Sequence, residues 1–221
     1  MNNLYKTKPS NKFLSFSPLY YYMNFVPLHR NLKNSRSKRD MDKFEKTNEE
    51  FEQAVAECRS LFEKKLHDYG ASWRILRPAS LTDQLFIKAK RIRQLETTGL
   101  SLVGEGIRPE FIGLVNYGIV GLIQLANGYS DTVDKTPAEA LALYDSYATE
   151  ALELMKRKNH DYDEAWRGMR VSSYTDLILT KLQRIKEMED LAGQTLVSEG
   201  IDANYMDIIN YSVFALIKLE K

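Results

Sequence analysis

Twelve polar or aromatic residues recur in this chain about 93 positions apart: His67/His160, Asp68/Asp161, Tyr69/Tyr162, Trp73/Trp166, Arg74/Arg167, Arg77/Arg170, Asp83/Asp176, Lys88/Lys181, Arg91/Arg184, Glu96/Glu189, Glu105/Glu199 and Asn116/Asn210. Arg74, Arg77, Lys88 and Arg91, and again Arg167, Arg170, Lys181 and Arg184, put four separated cations in each set. Cations so spaced can converge on one anion, and the planar fork of arginine suits a phosphate. Trp73 and Trp166 offer flat faces on which a base or a guanidinium stacks. A second chemistry is suggested near the end of the chain, where Asp207 and Asn210 stand one turn apart in an otherwise apolar segment. A carboxylate there must be paired or metal-bound. With Glu189 and Glu199 the pair makes a candidate oxygen site for a hard cation such as Mg²⁺. Gly113 replaces the aspartate in the first set, while Asn116 is kept and Glu110 lies one turn before.

A structural alternative stands beside each reading. Asp83 and Asp176 can join the Lys and Arg of their own copy in a structural ion-pair network that closes the loop onto the helix. Asp207 can be the buried partner of Lys181 or Arg184, and the tryptophans can be core aromatics. There is no Gly-rich phosphate loop, HExxH or GxSxG motif. His67 and His160, in separate connections, do not form a metal cluster.

The elements that must position these residues follow from the repeat itself. Lys65–Glu96 aligns with Lys158–Glu189 without a gap, and 14 of 32 positions are identical. LVGEGI (102–107) then matches LVSEGI (196–201), and FIGLVNYGIVGLIQL (111–125) matches YMDIINYSVFALIKL (205–219). Each copy reads as three helices. The first runs from about Asn48 to Leu66, or from about Pro137 to Lys158, started by capping boxes Thr47/Glu50 and Thr136/Glu139. A loop carrying HDY and WR follows. The second helix starts on Ser80 or Ser173 as N-cap and ends near Glu96 or Glu189. The third and most apolar helix spans about Pro109–Ala126 and Ala203–Leu219. Strand signals are absent. Units this short bury little surface alone, so the expected fold is all-α: two tandem three-helix repeats packed as a pseudo-two-fold helical bundle through their third helices. Repeat one is 41–129 and repeat two 130–221, the two forming one compact unit.

Composition bounds the rest. With 43% hydrophobic and 28% charged residues the chain is of ordinary globular type. No uninterrupted apolar run of about 18 residues suggests a membrane span. The lone Cys58 excludes a disulfide framework and fits a reducing, cytoplasmic setting. Residues 1–39 hold eight Lys or Arg and no acid; from Asp40 onward 23 basic residues face 30 acidic ones. The acidic body argues against tracking a nucleic-acid backbone. Met41 opens MDKFEKTNEEFEQAV, which reads as a natural start, so residues 1–40 are taken as a basic, disordered tail or a mis-assigned start.

The doubled run K-x-H-D-Y-x-x-x-W-R-x-x-R, followed by S-x-T-D, K-x-x-R-I, E-G-I and N-Y, resembles the first of the nucleotide modification associated domain families, whose activity is unknown. The resemblance covers about residues 48–221 and implies a link to nucleotide chemistry without any catalytic residue to carry over. A looser likeness is to all-α nucleoside triphosphate pyrophosphohydrolases of the MazG kind, which bind Mg²⁺ through helical E-x-x-E and E-x-x-D motifs. The nearest counterparts here, Glu189–Asp190 and Asp207-x-x-Asn210, differ in spacing. The resulting expectation is a protein that binds a nucleotide or other phosphorylated ligand, with Mg²⁺-dependent phosphohydrolysis as its enzymatic form. The alternative is a non-catalytic helical adaptor whose charges are structural.

Overall fold

The computed structural model describes residues 38–102, 104–191 and 200–220, with side chains from Lys43 onward. Except for its last residues, the segment 1–40 lies outside that range, as does Glu199. Six α-helices and two short 3₁₀ turns make up the described fold: α1 (Lys38–Tyr69), η1 (Ser72–Ile75), α2 (Pro78–Thr98), α3 (Arg108–Asn127), α4 (Pro137–Tyr162), η2 (Ala165–Gly168), α5 (Val171–Asp190) and α6 (Ile201–Leu219). There is no strand among the described residues.

Local signals explain most of the boundaries. The Thr136 hydroxyl accepts the Glu139 amide while the Glu139 carboxylate accepts the Thr136 N–H, the reciprocal box that starts α4, with Pro137 inside the first turn. Pro78 starts α2, and Gly99 ends it at φ 65°, a left-handed cap open to a residue without Cβ.

Three expected boundaries are corrected. Thr47 and Glu50 are not a capping box, because α1 begins at Lys38 and carries both inside it. Their side chains are used on the other repeat. Ser80 and Ser173 lie within helices whose N-caps are Arg77 and Arg170, neither of which caps through its side chain. In α2 a proline at the first helical position supplies the start a serine would have given. HDY is not loop: His67 and His160 fall in the last turns of α1 and α4.

The bundle is built by like meeting like. Helix α3 packs on α6, α2 on α5 and α1 on α4. Each helix thus faces its own counterpart, as in an isologous two-fold contact. The side chains repeat the relation. Thr82 donates to Glu189 at 2.8 Å and Thr175 to Glu96 at 3.0 Å. Asp83 pairs with Lys186 and Asp176 with Arg93. Asp83 and Asp176, read from sequence as part of a network closing the loop onto the helix of their own copy, bridge the repeats instead.

One apolar cluster contains core residues of both repeats, from Phe51 and Leu85 to Ile185 and Leu216. At its centre, Gly118 and Gly121 let α3 approach α6; a Cβ on Gly121 would stand 2.8 Å from the Tyr205 ring. Helix α3 is long and apolar enough to cross a membrane by length and composition, a feature the uninterrupted-run criterion passes over; 72% of that stretch is buried inside the bundle.

Candidate functional site

The duplicated arginines before the second helices are anchors. Arg74 is buried and holds the linker between repeats: its guanidinium donates to both Asp134 oxygens, at 2.7 and 3.0 Å, and to the Gly128 carbonyl and Gln124. That partner keeps the Asp134 carboxyl below its ordinary range. Arg167 donates to Glu164 at 2.6 Å and to Glu50 at 2.7 Å, and reaches Thr47 as well. Arg77, Arg170 and Arg184 are exposed and make no ion pair among the described residues. The cationic sets therefore do not converge.

The lysines of the second helices are neutralised by acids placed one turn apart in the two repeats. Lys88 and Arg91 both pair with Glu110 on α3. In repeat two the position of Glu110 is Asn204 and the acid has moved to Asp207. Lys181, fully buried, meets one Asp207 oxygen at 2.6 Å, and Lys158 meets the other at 2.5 Å. In repeat one the Lys88 side chain lies over Gly113, the counterpart of Asp207, where a Cβ would meet its stem at 2.8 Å.

The metal set is dispersed in the same way. Asp207 carries two ammonium partners, and Glu189 is tied across the repeat interface to Thr82, with burial raising its carboxyl pKa. Among the described residues no group of three His, Cys, Asp or Glu is placed to hold a metal ion.

The tryptophans are core residues in contact with arginine. Trp166 lies parallel to Phe214, with centroids 4.3 Å apart and planes 9° from coplanar. The Arg167 guanidinium carbon is also 4.3 Å from the Trp166 ring centroid. Two groups so close to one centroid must occupy opposite faces, so Trp166 presents only its edge. Trp73 is buried beside Phe62 and Arg74.

What the fold does bring together is a cleft in repeat two of about 50 Å³, between α4, η2 and α6. Lys158, Asn159, Trp166, Asp207 and Asn210 form its polar wall; Met155, Tyr211 and Phe214 are among its apolar residues. Asn210 is 3% exposed and neither its amide nitrogen nor its oxygen has a hydrogen-bond partner; the Trp166 indole N–H is likewise buried and unpartnered. Tyr174 O–H donates to the Trp166 carbonyl, and Lys218 donates to the Arg167 and Met169 carbonyls, so η2 is fixed to α5 and α6.

Of the residues singled out by spacing, Tyr162, Trp166, Asp207 and Asn210 line this cleft. Lys158 and Asn159, outside that set, line it too. Lys158 opens the doubled K-x-H-D-Y run, and Asn159 stands where repeat one has Leu66 on an apolar stripe; both were visible signals.

Comparison with known proteins agrees with the duplication. The family model described as nucleotide modification associated domain 1 matches twice, over residues 65–125 and 158–219, together more than half of the chain. No curated protein and no solved structure matches.

Proposed function

We propose, for a chain that belongs to the nucleotide modification associated domain 1 family, that the second repeat binds a nucleotide with the base leading. The observation that carries this reading is Asn210. A buried amide without hydrogen bonds costs about 1–3 kcal/mol, and a ligand that satisfies it recovers that energy. Its adjacent donor and acceptor match a base edge that offers the same pair reversed, as asparagine does with adenine. The Trp166 N–H supplies one further donor. The cleft admits the edge of one ring, so sugar and phosphate stay outside, where Arg170 is exposed and makes no ion pair among the described residues.

The test is a thermal-shift screen of the full chain against nucleoside mono-, di- and triphosphates, with and without Mg²⁺. A nucleotide at 100 times its dissociation constant should stabilise the fold by about 2.7 kcal/mol. Asn210→Ala should abolish that shift and leave the unliganded fold intact. No stabilisation by any nucleotide overturns the reading. Mg²⁺-dependent phosphohydrolysis is a further step: it requires Asp207 to exchange its two ammonium partners for a metal, and the Mg²⁺ arm of the screen, followed for phosphate release, tests it.

A second reading, a non-catalytic helical adaptor, is favoured by a different observation. Arg74, Lys88, Arg91, Arg167 and Lys181 all pair with carboxylates of this chain. It predicts no response to nucleotides and an unchanged melting temperature throughout the screen.

A further inference from the structure

The wall of the cleft contains a turn that its own repeat does not hold by itself. Asp163 and Glu164 lie between Tyr162 and Ala165, two residues that line the cleft, and both have positive φ, 46° and 58°. Side chains with a Cβ adopt that region at a steric cost. The same step in repeat one is taken by Gly70 and Ala71, of which only Gly70 has positive φ. Consecutive left-handed residues persist only where the surroundings over-determine them.

Those surroundings come from repeat one. Lys43 donates to the Asp163 carboxylate at 2.8 Å. Thr47, fully buried, donates its hydroxyl to one oxygen of Glu164, a carboxylate only 3% exposed. Arg167 takes the other Glu164 oxygen at 2.6 Å and reaches Glu50 at 2.7 Å. That same guanidinium covers one face of Trp166. Thr47 and Glu50 therefore act on the cleft through Glu164, Arg167 and Trp166, without lining it.

We propose that Lys43, Thr47 and Glu50 of α1 are positioning residues for the cleft of the second repeat: they form a clasp that holds the 163–167 turn in its strained shape and keeps the Trp166 edge beside Asn210. Releasing the clasp lets the turn leave the left-handed region and widens the cleft. The inference rests on the reading of that cleft as a binding site, but the turn reports on it without any ligand.

The experiment labels the full chain with 5-fluorotryptophan, so that Trp73 serves as internal control for Trp166 in ¹⁹F NMR, and follows amide exchange over 164–169 and 71–76. Thr47→Val keeps the shape and removes the hydroxyl. It should move the Trp166 resonance and speed exchange over 164–169 by about tenfold or more, the effect of losing one hydrogen bond to a charged group. Trp73 and amides 71–76 should not change. Thr47→Ser should restore both signals, and Glu50→Gln should move Trp166 in the same direction by less. An unmoved Trp166 resonance, equal changes at Trp73 and 71–76, or no rescue by serine would each overturn the clasp. A nucleotide screen without hits leaves this result standing, so the two readings fail separately.

Discussion

Asn116 and Asn210 hold the same position in the two repeats and meet opposite surroundings. The Asn116 amide donates to the Cys58 carbonyl at 3.1 Å and its oxygen accepts the Tyr144 hydroxyl at 2.8 Å. Asn210 has neither bond. The cause lies across the pseudo-two-fold axis. Tyr144 of α4 serves Asn116, and the residue 93 positions earlier, on α1, is Phe51, which has no hydroxyl to offer. Around the pair, Leu66 and Phe62 of repeat one become Asn159 and Met155 in repeat two. Phe62 also stacks on Tyr144 at 4.6 Å and closes the space. The asparagine site of one repeat has thus been sealed, while the other keeps a cleft with an unspent asparagine amide; the indole N–H is unpartnered in both, at Trp73 and at Trp166. Duplication by itself therefore does not mark two working sites; it marks one architecture whose copies differ in what they leave unpaired.

The largest test of this contrast is the pair of acids. Asp207→Asn takes a carboxylate away from the buried Lys181 ammonium and from Lys158 and should cost about 3–5 kcal/mol in unfolding free energy. Glu110→Gln should cost less, because Lys88 and Arg91 reach partly into solvent. Equal losses in chemical denaturation would break the distinction between a closed and a half-open network.

The asparagines come next. Asn116→Ala strands the Tyr144 hydroxyl and should cost about 2–3 kcal/mol, whereas Asn210→Ala removes a group that already lacks partners and should stay within about 1 kcal/mol of the parent. Similar melting temperatures for the two variants would show that Asn210 is satisfied after all.

Close packing of α3 on α6 gives a third comparison. Gly118 and Gly121 stand where repeat two has Ser212 and Ala215. Gly121→Val should force the Tyr205 ring aside and destabilise by about 1–3 kcal/mol, while Ala215→Gly should show the helix-propensity loss of about 1 kcal/mol together with that of one buried methyl. A neutral Gly121→Val would mean the helices can separate freely.

The repeat interface should behave symmetrically with pH. Burial raises the carboxyl pKa of Glu96 and of Glu189 above the ordinary value of 4.5. A raised folded-state pKa gives stability that is fully present below the unfolded value and lost as pH rises through the folded one. Glu96→Gln and Glu189→Gln should therefore each gain stability relative to the parent above about pH 5, with the gain fading on acidification below the ordinary carboxylate pKa. Melting curves from pH 4 to pH 7 that run parallel for parent and variants would contradict this. The smallest effect expected is from Phe51→Tyr, which offers Asn210 the hydroxyl that Tyr144 gives Asn116. It should stabilise by about 0.5–1.5 kcal/mol and weaken any nucleotide response.

The amino-acid sequence alone determined the duplication, the helices of the described fold and the all-α class. These rest on local periodicity and on a one-dimensional match that needs no contact to be seen. It also singled out Asp207, Asn210 and Trp166, since a polar group on an apolar face announces itself by type. The tertiary structure alone decided which charges are spent. Thr47 and Glu50 had the spacing of a helix start, yet their partners Glu164 and Arg167 lie 117 positions away, at the N-cap of η2 and within it. Asp83 and Asp176 recur with the cations of their own copy, yet they bridge the repeats. Arg167 had the signature of a phosphate ligand, yet it clamps a turn. An ion pair is chosen by distance through space and by desolvation, and neither is encoded in spacing along the chain.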